Sequence, residues 1–157
     1  MTEIKKIMQT KTGIGGNCEG ATIATLLGLD ISEIPDFWEG CDISKPTCPE
    51  NGAQYNNNLN QFLKTKGYKA ITLGFNEHSV DAESWVQDIS IGAGIKHLVN
   101  GISPRGYMHS VIYENGRLWH DPHPEGGGVK PCQITFIHPI FCEPQLFEGL
   151  ESLKEVS

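Results

Sequence analysis

The order of patterns along this chain predicts an α+β fold, in which an N-terminal helix packs on an antiparallel β-sheet. Three observations carry that expectation: an apolar helical repeat that begins at Cys18, a hairpin signal within residues 107–121, and strand-like segments filling the C-terminal half. With 157 residues and no repeat, charge block or linker, the chain is expected to be a single domain over 1–157. Its core is expected at about residues 5–142, with a tail at 143–157 to which the pattern assigns no element.

The elements follow in order. Residues 10–16 are turn-rich, Asn17 is placed as the N-cap, and Cys18 becomes the first helical residue. Ala21, Ile23, Ala24, Leu26 and Leu27 fall at helical spacing, and Gly28 is a left-handed terminator. A second short helix or turn begins at Asp30 or Ser32 and stops at Pro35. Residues 37–54, with two cysteines, two prolines and two glycines, read as a long surface loop. A helix is predicted over 58–66, a strand over 68–75, a short helix over 80–87 and a strand over 95–102. Strands at 107–113 and 117–121 flank Glu114-Asn115-Gly116, a tight-hairpin signal, and a last strand covers 134–140.

Composition excludes several function classes. Twelve basic against 19 acidic residues give a formal net charge of −7, which lacks the basic stripe of a nucleic-acid binder and disfavours docking on an anionic membrane. No stretch approaches the ~18 apolar residues of a transmembrane span. The opening MTEIKKIMQT has no apolar signal core, so a cytoplasmic location is expected. The five cysteines are an odd number, and in a reducing compartment all are expected to be thiols.

Among them, position singles out Cys18. A helix start offers unsatisfied N–H groups and the positive end of the helix dipole, both of which favour a thiolate. Gly13, Gly15 and Gly16 just upstream let a substrate approach the backbone closely. A thiol nucleophile needs an imidazole, and the imidazole needs an orienting partner. Of the six histidines, only His109 and His120 fall inside the hairpin. A three-residue loop at 114–116 sets His109 opposite Asp121 on one face of the sheet. A two-residue type I′ turn at Asn115-Gly116 instead sets His109 opposite Pro122 and turns Asp121 to the other face. Trp119 is expected to pack beside the His–Asp pair and shield it from water. For the oxyanion, the Cys18 N–H is one donor, and Gln9 is the one side-chain amide upstream of Asn17.

These residues resemble a known set. Gln9, Gly15-Gly16-Asn17-Cys18, the helix at 21–27, Ile34-Pro35-Asp36-Phe37, Gly101-Ile102-Ser103-Pro104-Arg105-Gly106, His109 and His120-Asp121-Pro122-His123-Pro124 look like a family of small, mostly phage-encoded proteins. That family is similar in turn to papain-like cysteine peptidases, especially the bacteriocin-processing peptidase domains of peptide exporters. The resemblance covers roughly residues 9–125, loosely over 38–95. It implies a papain-like fold and a cysteine-dependent hydrolase or acyltransferase acting on an amide or peptide-type bond without a cofactor. It implies Cys18 as nucleophile, His109 as general base and acid, Asp121 as orienter and Gln9 as oxyanion donor. Glu19 follows the cysteine where many papain-like enzymes have glycine or tryptophan.

Asn17, Ser103, Arg105 and Trp119 are the expected substrate-binding residues, and the expected partner is a peptide or protein substrate, in a host cytoplasm if the chain is phage-encoded. Two other classes compete. One is a non-catalytic binding protein on the same scaffold, taking a host factor or a small anionic ligand at the Arg105 loop and the Gly126–Gly128 run. The other is a zinc site from Cys41, Cys48, His120, His123 and Cys132, which lacks any Cys-x-x-Cys pair.

Overall fold

The computed structural model describes residues 3–75 and 81–140, and these form a mixed α+β domain built on one antiparallel sheet. Helix α1 spans Cys18–Leu27 and ends on Gly28 in the left-handed conformation, both as the apolar spacing predicts. A 3-10 turn at Ile31–Glu33 follows, capped by Asp30. Then come α2 (Pro49–Thr65), β1 (Tyr68–Gly74), α3 (Ala82–Ala93), β2 (His97–Ile102), β3 (Met108–Glu114), β4 (Arg117–His120) and β5 (Lys130–Pro139). The strand order is β1-β5-β2-β3-β4, so the last strand inserts between the first and second. Every pair is antiparallel.

The alternation of side chains along these strands separates two faces. On one, Leu98 of β2 packs with Ile23 of α1, Leu59 and Leu63 of α2, and Phe37. On the other, Val99, Val111 and Ile134 pack against Val86 of α3. The sheet is thus covered by α1 and α2 on one side and α3 on the other. Among the described residues no helix is long and apolar enough to cross a membrane.

Three element boundaries differ from expectation by four residues or more. Helix α2 starts at Pro49, inside the predicted surface loop, because proline is well placed at the first helical position. The polar, glycine- and asparagine-containing first turns hide this from an apolar pattern. Tertiary bonds hold them instead: the Asn51 amide donates to the carbonyls of Asp42 and Lys45, and its oxygen accepts from the Asp42 N–H. Helix α3 runs on to Ala93 rather than ending near 87, while residue 80 lies outside the described residues. Strand β5 starts at Lys130, four residues early, because Pro131 falls at a bulge opposite Gly101, where a missing N–H costs no ladder bond. The predicted tail at 143–157 lies outside the described residues.

Candidate active site

The hairpin decides whether an imidazole and a carboxylate can meet. Asn115 and Gly116 both have positive φ, 50° and 75°, and Glu114 pairs with Arg117. This is the two-residue turn, not the three-residue loop, and on its own it would send Asp121 away from His109. A bulge corrects it. The register moves from Tyr113–Leu118 to Ile112–His120, so the strand takes up one extra residue at Trp119. Beyond that point residues 121 and 123 return to the face of His109. The outcome is a 2.7 Å bond from His109 Nε2 to Asp121 Oδ1, between side chains that are both nearly fully buried.

Asp121 is held as an anion. Burial works against its charge, but the His109 ring and the N–H groups of His123 and Gly128 outweigh it, bringing the carboxyl down to about 2. The two N–H bonds measure 2.8 and 2.9 Å. A carboxylate only accepts, so His109 donates through Nε2, and in the neutral ring Nδ1 is left as the proton acceptor. His123 stands edge-on to His109, with ring centroids 5.9 Å apart, and is the ring that packs on the pair. Trp119 does not shield it as expected, because the bulge carries its ring between Lys6 and Lys96, 4.5 and 4.8 Å from their ammonium groups.

The depressed Asp121 carboxyl makes stability depend on pH. Its folded value of about 2 lies below the ordinary 3.8, so the stabilisation is fully present above pH 3.8 and is lost as pH falls towards 2. The shift corresponds to about 2 kcal/mol. Denaturant titrations across that window are expected to show wild type losing stability more steeply than Asp121→Asn. Parallel slopes for the two proteins would contradict the bonding described above.

Cys18 begins α1 where this helix packs on β3, and its sulfur accepts from the Ser110 N–H. A strand N–H lies in the plane of the sheet. Ser110 is one residue from His109, whose ring leaves on the α3 face with Val111. No hydrogen bond joins thiol and imidazole among the described residues. Burial, the largest effect, and the neighbouring Glu19 push the Cys18 thiol up to about 11, against the N–H groups of Ser110, Glu19 and Cys18 itself. The helix start does not make a thiolate here, because burial outweighs the dipole.

The loop that leads into Cys18 is cross-linked through Lys11. Its carbonyl accepts from the Gln9 amide at 2.9 Å and from the Asn17 N–H at 3.2 Å. Gly16 crosses so close that a Cβ there would lie 2.8 Å from the Gly13 carbonyl oxygen and 2.9 Å from that of Lys11. The Gln9 main-chain N–H bonds the Pro122 carbonyl at 3.0 Å, next to Asp121 in sequence, and its side chain is buried. One amide hydrogen is spent on Lys11, and Oε1 is buried without a partner.

The expected substrate-binding side chains are mostly occupied by the protein itself. Asn17 holds the N-cap position without capping, because its oxygen takes the Thr10 and Lys11 N–H groups and its amide donates to Thr10 Oγ1. Ser103 donates to the Tyr107 carbonyl, closing its own loop. Arg105 reaches from that loop to the Gly126 carbonyl at 2.8 Å and to the Tyr107 hydroxyl, joining the two glycine-containing loops. The soft metal ligands are dispersed: His120 bonds the Ile7 carbonyl on the α1 face, and His123 faces His109. Among the described residues no three His, Cys, Asp or Glu side chains gather as a metal site would need. Sequence reasoning passed over Tyr55 and Asn100, which both favour the charged form of the Glu19 carboxyl against the larger effect of burial. Tyr55 lay between the predicted loop at 37–54 and the predicted helix at 58–66, and Asn100 inside a predicted strand, so periodicity gave no signal for either.

Comparison of the chain with protein-family models, with curated proteins and with solved structures finds no match.

Proposed function

We propose that the protein is a cysteine-dependent hydrolase or acyltransferase of papain-like type, acting on an amide or peptide-type bond. The observation that carries this reading is the buried 2.7 Å His109–Asp121 bond, one residue along the strand from the Ser110 N–H that holds the Cys18 sulfur. With its thiol pushed up to about 11, Cys18 rests as a neutral thiol rather than as half of a preformed ion pair. His109 Nδ1 removes the thiol proton as sulfur attacks the carbonyl carbon, and the carbonyl π electrons move onto oxygen. Asp121 stays ionised and stabilises the imidazolium. The carbon–nitrogen bond then breaks as His109 returns the proton to the leaving amine. Water or an acceptor amine, deprotonated by the same imidazole, displaces the sulfur and releases the acyl group. The N–H groups of the first turn of α1, which have no acceptor within the helix, supply oxyanion donors, and the Gln9 amide has a second hydrogen to add.

A second reading is supported by one observation. A thiol that is held protonated, with no bond to the imidazole, also suits a binding protein that keeps the scaffold without the chemistry. Exposure to p-nitrophenyl acetate followed by peptide mass spectrometry separates the two. Acetylation is expected at Cys18 ahead of Cys41 and Cys48, and its loss in Cys18→Ala should leave the other sites unchanged. Equal acetylation of all three cysteines favours the binding role.

A further inference from the structure

We propose that Arg105 is a positioning residue for the His109–Asp121 pair, a clamp on the glycine run 126–128 that keeps the Gly128 N–H on the Asp121 carboxylate. This rests on His109 being the base of the reading above.

Asp121 is gripped at both oxygens. Oδ1 takes the His109 ring at 2.7 Å and the His123 N–H at 2.8 Å, while Oδ2 takes the Gly128 N–H at 2.9 Å. Among the described residues Gly128 is the partner of Oδ2. Its bond therefore sets the plane of the carboxylate, and with it the direction in which Oδ1 meets the imidazole.

The segment that carries this donor has little to hold itself. Gly126, Gly127 and Gly128 all have positive φ, 62°, 98° and 64°, and no side chain restricts any of them. Left alone such a run samples many conformations, and a Gly128 N–H that moves leaves Oδ2 without a donor. Arg105 supplies the restraint. Its Nη1 donates to the Gly126 carbonyl at 2.8 Å, and Pro104 lies against the next residue, where a Cβ on Gly127 would come within 3.2 Å of Pro104 Cγ. The Gly126 N–H closes the turn from the other side, bonding the His123 carbonyl at 2.9 Å.

The clamp is itself anchored. Arg105 Nε donates to the Tyr107 hydroxyl at 3.2 Å, and the planar guanidinium fixes the angle between its two arms. The N–H and hydroxyl of Ser103 each donate to the Tyr107 carbonyl at 3.0 Å, and the Gly106 N–H returns to the Ser103 carbonyl at 2.9 Å. This loop runs directly into β3, which carries His109. One guanidinium thus ties the segment that delivers the base to the segment that fixes its orienter. Its Nη2 is buried without a partner among the described residues, so the group faces the protein rather than a substrate.

The test is Arg105→Met, which keeps an unbranched stem and donates nothing, read on the full chain by amide hydrogen exchange and by acetylation of Cys18 with p-nitrophenyl acetate. The Gly128 N–H is expected to exchange about three- to tenfold faster than in wild type, the worth of one hydrogen bond. Val99, in the core on the α3 face, is the control, because a general loosening would speed both amides alike. Acetylation of Cys18 is expected to slow about ten- to a hundredfold, as a misplaced catalytic group does. Arg105→Lys, which can still reach one carbonyl, should recover part of that rate. Gly128 exchange that is unchanged, or raised only as much as that of Val99, overturns the proposal. A wild-type acetylation rate in a variant whose Gly128 amide is freed overturns it too. If Arg105→Met does not fold, Tyr107→Phe releases the Nε arm alone, and wild-type exchange at Gly128 in that variant has the same force. Failure of the enzymatic reading shows differently, as His109→Ala acetylating at the wild-type rate, and the Gly128-to-Val99 exchange ratio still decides the clamp.

Discussion

His109→Ala is expected to slow acyl transfer to Cys18 by about a hundred- to ten-thousandfold, the range over which a positioned general base acts. The thiol itself supports the upper end of that range. With a value of about 11, only about one Cys18 in ten thousand is a thiolate at pH 7 without help. The variant should therefore depend on spontaneous ionisation, its rate rising about tenfold per pH unit towards alkaline pH. Wild type, whose base takes the thiol proton during attack, should show a much flatter profile on the alkaline side. A stopped assay of p-nitrophenyl acetate turnover, run across pH on both proteins, reads both differences. Equal rates in the two proteins would remove His109 from the chemistry.

Gly101→Ala is expected to cost about 3 kcal/mol or more, the upper part of the range for forcing atoms into a filled space. A Cβ there would lie 2.0 Å from the Lys130 carbonyl oxygen and 3.0 Å from Pro131 Cα. Both are main-chain atoms of the neighbouring strand, so no side-chain rotation relieves the contact. The position is the register shift between β2 and β5, and its partner across β3 is His109. Pushing β2 from β5 here disturbs the sheet beneath the imidazole, so thermal unfolding and acyl transfer should fall together. A variant with wild-type melting temperature would show that the strands are free to separate at this point.

Much of the fold is legible in the sequence where one local signal dominates. Cys18–Leu27 is such a case: apolar spacing, a capping position and Gly28 all agree, and the helix starts and ends as expected. The class follows from the order of helix and strand patterns. Legibility fails where tertiary contacts override propensity, as at the start of α2, whose polar turns are held by Asn51. Pro131 hides the start of β5 for the opposite reason, since a residue that breaks strands is harmless at a bulge.

The site shows the same division. The pairing of His109 with Asp121 was expected, but by a turn that does not form. A two-residue turn and a bulge at Trp119 each shift the register by one, and together they restore the face. Turn residues announce the first shift, whereas nothing in Leu118-Trp119-His120 announces the second. The thiol was expected to be easily ionised from its place at a helix start. Its surroundings decide otherwise, because burial, the largest effect, comes from tertiary packing rather than from the local sequence. Asn17 and Ser103 were placed by motif as ligand-facing groups, yet each spends its side chain closing its own loop.

The meeting of thiol and imidazole is the step on which the proposed chemistry depends, and a crystal structure of Cys18 carrying a chloroacetamide-derived adduct tests it most directly. The expected result places His109 Nδ1 within about 4 Å of the modified sulfur, close to the reach that base catalysis requires, with the Asp121 bond to Nε2 intact. A His109 Nδ1 that stays well beyond hydrogen-bond reach of the modified sulfur, with the main chain of β3 between them, would contradict the proposal.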